Sequence, residues 1–133
     1  MIVDSNSAFR NEFVGWIAKS FRDLRLRVSN NGEEALSAID SDPPMIVFAN
    51  VRLSGSNGLC LIEKLKTRYP AISCVLLSYY DDPEYTDASK SVRVDLFVDC
   101  TEVNRDEVTA FIFTKLRSVG KSIELNLDYS NYP

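Results

Sequence analysis

The sequence predicts an α/β domain: a five-stranded parallel sheet between two layers of helices. Three observations carry that prediction. Short apolar runs alternate with amphipathic stretches along most of the chain. Two of the runs, residues 45–51 and 72–77, are almost continuously apolar, as strands covered on both faces are. The links are short, and parallel neighbours need a crossover connection, so each amphipathic stretch serves as the crossover helix. A length of 133 residues suits one ordinary domain, and 45% hydrophobic with 26% charged residues is enough to build a core.

Residues 1–3 are a short apolar run ending at Asp4. Phe9, Phe13, Trp16, Ile17 and Leu24 recur at helical spacing, which predicts a helix over residues 7–24 with Ser7 as its cap. Leu26 and Val28 mark a short strand closed by Asn30-Asn31-Gly32, and residues 33–39 make a short helix stopped by Pro43-Pro44. After the strand at 45–51, residues 54–58 read as a loop. The next helix turns Leu59, Ile62 and Leu65 inward and ends before Pro70. A strand at 72–77 is followed by Ser78, then by a weak, polar helix over 83–92. Residues 94–98 are the last strand, and Val108, Phe111, Ile112, Leu116 and Val119 mark the last helix. Five strands and five helices in strict alternation predict a flavodoxin-like three-layer sandwich with strand order 2-1-3-4-5. The domain is expected to span residues 1–119, with 120–133 a C-terminal extension.

Composition removes whole classes of function. The chain has no histidine, which excludes Ser-His-Asp and Cys-His hydrolases, histidine-ligated metal sites and histidine phosphocarriers. A net charge of −4 without a Lys/Arg cluster argues against direct nucleic-acid binding. The first ten residues lack the apolar run of a secretory signal, and no apolar stretch reaches the roughly 20 residues of a membrane span. Cys60, Cys74 and Cys100 are odd in number and show no zinc or disulfide spacing. Reduced thiols in a cytoplasmic protein are the expectation. Gly55-Ser56-Asn57-Gly58 does not fit G-x-S-x-G, and no phosphate-cradling glycine motif occurs, so no cofactor is expected.

In a doubly wound sheet, ligands bind outside the carboxyl ends of the strands, next to the switch point. Those ends carry Asp4 and Ser5, then Asn50, Ser78 and Cys100. With their neighbours these positions resemble the receiver domain of two-component response regulators, over about residues 1–119. The matching pieces are Ile2-Val3-Asp4-Ser5-Asn6, Asn31-Gly32-Glu33-Glu34-Ala35-Leu36, and the run from Asn50 to Gly58. Val75-Leu76-Leu77-Ser78 and Asp95-Leu96-Phe97-Val98-Asp99-Cys100 complete the set. Each piece is weak alone; their order and spacing carry the resemblance.

The resemblance implies phosphoryl transfer onto an aspartate at the end of the third strand. It also implies two acids after the first strand that help hold Mg²⁺, a hydroxyl after the fourth, and an aromatic and a lysine at the fifth. Here Asp4 keeps the first acid, Ser78 the hydroxyl and Phe97 the switch aromatic. Ser5 replaces the second acid, Asn50 the nucleophile and Cys100 the lysine; Ser54 stands where the family often has proline. A carboxamide is a poor nucleophile and forms no stable acyl phosphate. Mg²⁺ is usually held through carboxylates, and a transferring phosphoryl group needs compensating positive charge. The expectation is therefore a degenerate, aspartate-less receiver without catalytic residues or bound metal, acting as a phosphorylation-independent interaction module.

Two readings of Asn50 stand side by side: a mimic of the neutralised, activated site, and a residue satisfying hydrogen bonds in an inactive pocket; the second is preferred. Cys100 is read as an inert thiol, since no cation that would lower its pKa is evident. Ser78 and Phe97 are either a coupled switch or fixed packing. Asp4 is also read as a cap for the neighbouring turn.

The resemblance implies a partner surface built from the fourth helix, fifth strand and fifth helix, here Tyr85, Ala88, Val92, Phe97 and Arg117. An output domain, a kinase or a second copy is the expected partner. The competing reading is a flavodoxin-like small-ligand sensor or enzyme using the crevice at Asp4, Asn50, Ser78 and Cys100; a third is a passive decoy that docks a kinase. Beyond Gly120, suited to a helix C-cap, Ile123, Leu125, Leu127 and Tyr129 alternate with polar residues. That pattern reads as an edge strand, with a linker or a continued helix as the alternatives.

Overall fold

A computed structural model describes residues 1–79 and 92–120. Its elements are β1 (Ile2–Val3), α1 (Ser7–Ser20), β2 (Val28–Ser29), α2 (Gly32–Ser41) and β3 (Ile46–Asn50), then β4 (Arg52–Leu53), β5 (Ser56–Asn57) and α3 (Gly58–Arg68). β6 (Ser73–Ser78), β7 (Leu96–Asp99) and α4 (Arg105–Ser118) complete them. The main sheet runs β2-β1-β3-β6-β7 with every pairing parallel, which is the expected 2-1-3-4-5 order. Four of the five expected helices lie among the described residues; most of the segment expected as the fourth, 83–92, lies outside them, as does the tail after Gly120.

Strand alternation divides the core between the two faces. Val47, Ala49, Cys74 and Leu76 point to the side of α2 and α3, where Ala35, Ile39, Ile62 and Leu65 meet them. Ile46, Phe48, Val75 and Leu77 point to the other side and pack on Phe13, Trp16 and Ile17 of α1 and Val108, Ile112 and Leu116 of α4.

All four described helices start on an asparagine. Asn6, Asn31, Asn57 and Asn104 each accept a hydrogen bond from the backbone N–H three residues on. A side-chain cap of this kind contributes about 1 kcal/mol. Asn6, not Ser7, is therefore the cap of α1. That helix also stops short of Leu24: Phe21 leaves it with φ −131° and ψ 106° and turns its ring into the core. The second strand pairs through Val28 and Ser29 rather than Leu26, and the last begins at Leu96 rather than Val94.

The segment after β3, expected as a loop, contains a two-stranded antiparallel ribbon of β4 and β5, with Gly55 at φ 75° at its tip. Two clamps tie the far end of the sheet to its helices. Lys66 Nζ reaches Ile72 O and Asp95 Oδ2 at 3.0 and 2.6 Å, and the same Asp95 oxygen accepts Cys74 N–H at 2.7 Å. Asp40 of α2 accepts from Arg68 and from the Tyr69 hydroxyl at the end of α3. Gly120 has φ 73° and donates its N–H to Arg117 O, the C-cap geometry expected for it.

Candidate functional site

The carboxyl ends of the parallel strands gather the expected residues. Asp4 follows β1, Asn50 ends β3, Ser78 ends β6 and Cys100 follows β7. Asp4, Asn50 and Ser78 are almost fully buried, at 1%, 2% and 3% exposure. Asn50 Nδ2 donates to Asp4 Oδ2 at 3.1 Å, and Asn50 Oδ1 accepts the Arg52 N–H at 2.9 Å. These two bonds assign the orientation of the amide, because only its oxygen can accept from Arg52. The second Asp4 oxygen accepts the Asn6 N–H at 2.8 Å, the turn-capping role read from the sequence.

Burial pushes the Asp4 carboxyl above its ordinary range, against the opposing pull of the Asn6 and Asn50 hydrogen bonds and the Arg10 charge. Arg10 was not singled out by the sequence. From the second turn of α1 it donates to Asp4 O at 2.9 Å and to the Asn30 side chain, joining β1, α1 and the end of β2. Asn30 also accepts, through its backbone carbonyl, the Ser5 hydroxyl at 2.6 Å. Ser5 Oγ in turn accepts the Ser54 N–H at 2.9 Å. Ser5 therefore pins two loops together at the position where the resemblance expects an acid.

The β3–α3 connection approaches the site closely. Val51 N–H bonds Leu77 O at 2.8 Å and Gly58 N–H bonds Val51 O at 2.9 Å. A Cβ on Gly58 would lie 2.2 Å from Asn50 O, so only glycine allows α3 to start there. Across the crevice, Cys100 N–H donates to Ser78 O at 2.7 Å. The Cys100 thiol is pushed up to about 12 by burial and by the charges of Asp4 and Asp99. Asp99 is itself held below its ordinary value by hydrogen bonds from the Thr101 hydroxyl and N–H. Tyr79, also missed in the sequence, sits edge-on to Phe9 at 5.4 Å. Burial and then the Asp4 charge push its phenol upward. Phe97 is half-buried and packs against the core on the α2–α3 side.

Of the expected partner surface, Val92 is half-buried, and the Arg117 guanidinium lies 5.7 Å from the Phe113 ring centroid. Tyr85 and Ala88 lie outside the described residues. A cleft of about 300 Å³ lies at the opposite end of the sheet, lined by Phe21, Leu24, Met45 and Leu116 among others. The convergent polar groups are instead at the strands' carboxyl ends, where a doubly wound sheet places its site.

The donor set can be tested against Mg²⁺. One carboxylate has both oxygens engaged by N–H donors, and an amide N–H rather than an oxygen faces it from β3. Hard divalent cations require oxygen ligands. These residues do not fit the ion, and among the described residues no group of three Cys, Asp or Glu side chains gathers to hold a metal.

A doubly wound parallel sheet with a buried aspartate beside its central strand, a hydroxyl across the crevice and an aromatic on the last strand defines an α/β signalling domain of the receiver type. The chain belongs to the response regulator receiver domain family, whose sequence model matches residues 1–111. It is a receiver domain of a two-component response regulator, a signalling module. Among curated proteins it is similar to the DNA-binding transcriptional regulator NtrC of Salmonella typhimurium, with 27% identity over 84 residues. That match covers 61% of this chain and 17% of the relative. The Escherichia coli NtrC matches over the same shares, also at 27% identity.

Among solved structures the receiver domain of NtrX from Brucella abortus superposes with a TM-score of 0.76 at 22% identity, covering 88% of this chain and 97% of that one. A CheY-like receiver from Methanospirillum hungatei gives 0.76 at 20% identity, covering 88% and 91%. These likenesses show the fold. Among the described residues no helix is long and apolar enough to cross a membrane.

Proposed function

We propose that this receiver works without phosphorylation, as a protein-interaction module of the cytoplasm. The observation that carries the reading is the state of Asn50. Its nitrogen is committed to Asp4 and its oxygen to Arg52 N–H, at the position where the family's nucleophile stands. An amide nitrogen whose lone pair is delocalised does not attack phosphorus. Ser5 supplies a hydroxyl bonded to two loops instead of a second carboxylate. Cys100 supplies a neutral thiol flanked by Asp4 and Asp99 instead of an ammonium, so negative charge on a phosphoryl group would meet more negative charge.

The partner in this reading is a protein: an output domain, a kinase or a second copy of the chain. It docks on the face carrying Val92, Phe97 and Arg117, with Tyr85 and Ala88 from the segment outside the described residues. The match spans only 17% of the DNA-binding transcriptional regulator it resembles, which favours an output domain of that kind as the partner. Nucleic-acid contact then belongs to that domain rather than to this acidic chain.

The test is intact-mass measurement after incubation with Mg²⁺ and acetyl phosphate. The wild type is expected to gain no phosphoryl group, and a phosphorylated species would overturn the reading. Asn50→Asp alone is also expected to remain unlabelled at a receiver's usual rate, because Ser5 and Cys100 are unchanged.

A further inference from the structure

The cleft of about 300 Å³ at the far end of the sheet has no part in the site at the strands' carboxyl ends. Its walls are largely apolar: Leu24 and Leu26 from the α1–β2 connection, Met45 before β3, and Ile112 and Leu116 of α4. Leu24, Leu26 and Met45 are only half-buried, so apolar surface faces water here. Arg22, Arg25 and Arg27 stand around it, against Asp23 and Asp42. Arg25 and Asp42 pair with each other at 3.0 Å, and the charged side chains of the lining sum to a net positive rim.

The chain leaves α4 beside this cleft. Leu116 is in its wall, and Gly120 follows by about 6 Å at the rise of a helix. Gly120, at φ 73°, then turns the backbone off the helix axis. Residues 121–133 lie outside the described residues, and their sequence suits the cleft. Ile123, Leu125, Leu127 and Tyr129 alternate with Glu124, Asn126, Asp128 and Ser130, so an extended chain would carry one apolar face. Residues 123–130 include Glu124 and Asp128 and no base, opposite in sign to the rim. We propose that this segment docks in the cleft of its own chain as an extended strap, with Ile123 and Leu125 seated against Leu24, Met45 and Leu116.

Reach and volume both allow it. Three extended residues carry the chain about 10 Å from Gly120 to Ile123, and Leu125 lies about 7 Å further on the same face. Benzene fits a cavity of about 150 Å³, so about 300 Å³ takes two aliphatic side chains. Tethering supplies the rest: a short link holds the segment at an effective concentration in the millimolar range, so contacts too weak for a free peptide suffice. The free edge of β2 is the poorer dock, because that strand pairs through Val28 and Ser29 alone and offers few backbone bonds. The strap is separate from the Asp4–Asn50 pair and does not depend on the proposed loss of phosphorylation.

The test is amide hydrogen exchange and amide NMR on the full chain. Exchange at residues 123–127 is expected to be at least about ten-fold slower than in a free peptide of the same sequence. Leu125→Asp should abolish that protection and shift the amides of Leu24, Leu26 and Met45. Asn126→Asp, which adds the same charge on the polar face, should leave both unchanged. Leu24→Asp, made on the cleft side, should free the segment in the same way; Leu125→Asp lies outside the described core and serves alone if that variant unfolds. An unprotected segment in the wild type would overturn the proposal. Protection that survives Leu125→Asp, or cleft amides that do not move with it, would place the segment elsewhere and overturn it too. Protection that grows with protein concentration alongside a dimer in sedimentation would assign the cleft to a second copy's segment, which contradicts docking within one chain.

Discussion

Replacing Asn50 by aspartate tests the physical argument most sharply. The substitution removes the N–H that now points at Asp4 and places a second carboxylate about 3.1 Å from the first, inside a pocket where both residues are nearly fully buried. At an effective dielectric constant of about 20, two like charges about 4 Å apart repel by about 4 kcal/mol. Keeping one of them protonated at pH 7 costs a similar amount, about 1.4 kcal/mol for each pKa unit that the group must be raised above about 3.9. Arg10 and relaxation of the pair offset part of this, leaving an expected loss of about 2–4 kcal/mol at pH 7.

The sign of the pH dependence follows from a raised folded-state pKa. Below the unfolded value near 4 both states bind the proton and the deficit disappears. It grows as pH rises toward the folded-state pKa and is complete above it. Urea denaturation of wild type and variant at pH 7 and near pH 4.5 reads the difference from the midpoints. A variant as stable as wild type at pH 7, or a deficit that does not shrink on acidification, would refute the reasoning.

Other expectations follow from particular contacts. Gly58→Ala drives a Cβ into Asn50 O and should cost about 2 kcal/mol or more in denaturant melts, with displaced amide resonances around Asn50. Asp95→Ala leaves the Cys74 N–H and the Lys66 ammonium without their shared acceptor, and a loss of about 1–2 kcal/mol is expected from the same assay. In the native protein at pH 8, iodoacetamide should modify exposed Cys60 first, while Cys74 and Cys100, pushed up to about 11 and about 12 by burial, stay unmodified; peptide mapping reads the order.

The sheet was legible because its central strands are apolar on both faces: Val47, Phe48, Val75 and Leu76 leave no other reading in so short a chain. The ribbon of β4 and β5 was not. Arg52-Leu53-Ser54-Gly55-Ser56-Asn57 has the composition of a turn, and only two pairs hold it together. The end of α1 was misjudged for a related reason. Leu24 continues the helical period, yet Phe21 already meets the core, and the backbone turns extended to let it do so.

At the crevice, the parallel strand order brings Asp4, Asn50, Ser78 and Cys100 to one edge of the sheet, a placement that follows from topology alone. Arg10, Asn30 and Tyr79 escaped notice. The signal for Arg10 was a cation on the otherwise apolar face of α1 between Phe9 and Phe13, and such a charge needs a partner at the sheet end. Asn30 was read only as a turn residue, although its side chain and carbonyl both serve the network around Asp4 and Ser5.

The central claim is that the Asp4–Asn50 pocket neither takes up a divalent cation nor responds to a phosphoryl group. An amide NMR titration of the chain with Mg²⁺, followed by beryllofluoride as a phosphoryl mimic, addresses it directly. The account predicts spectra that stay unchanged at both steps. Saturable shifts at Asp4, Ser78 and Phe97 would contradict it and show a pocket that still binds an anion and switches.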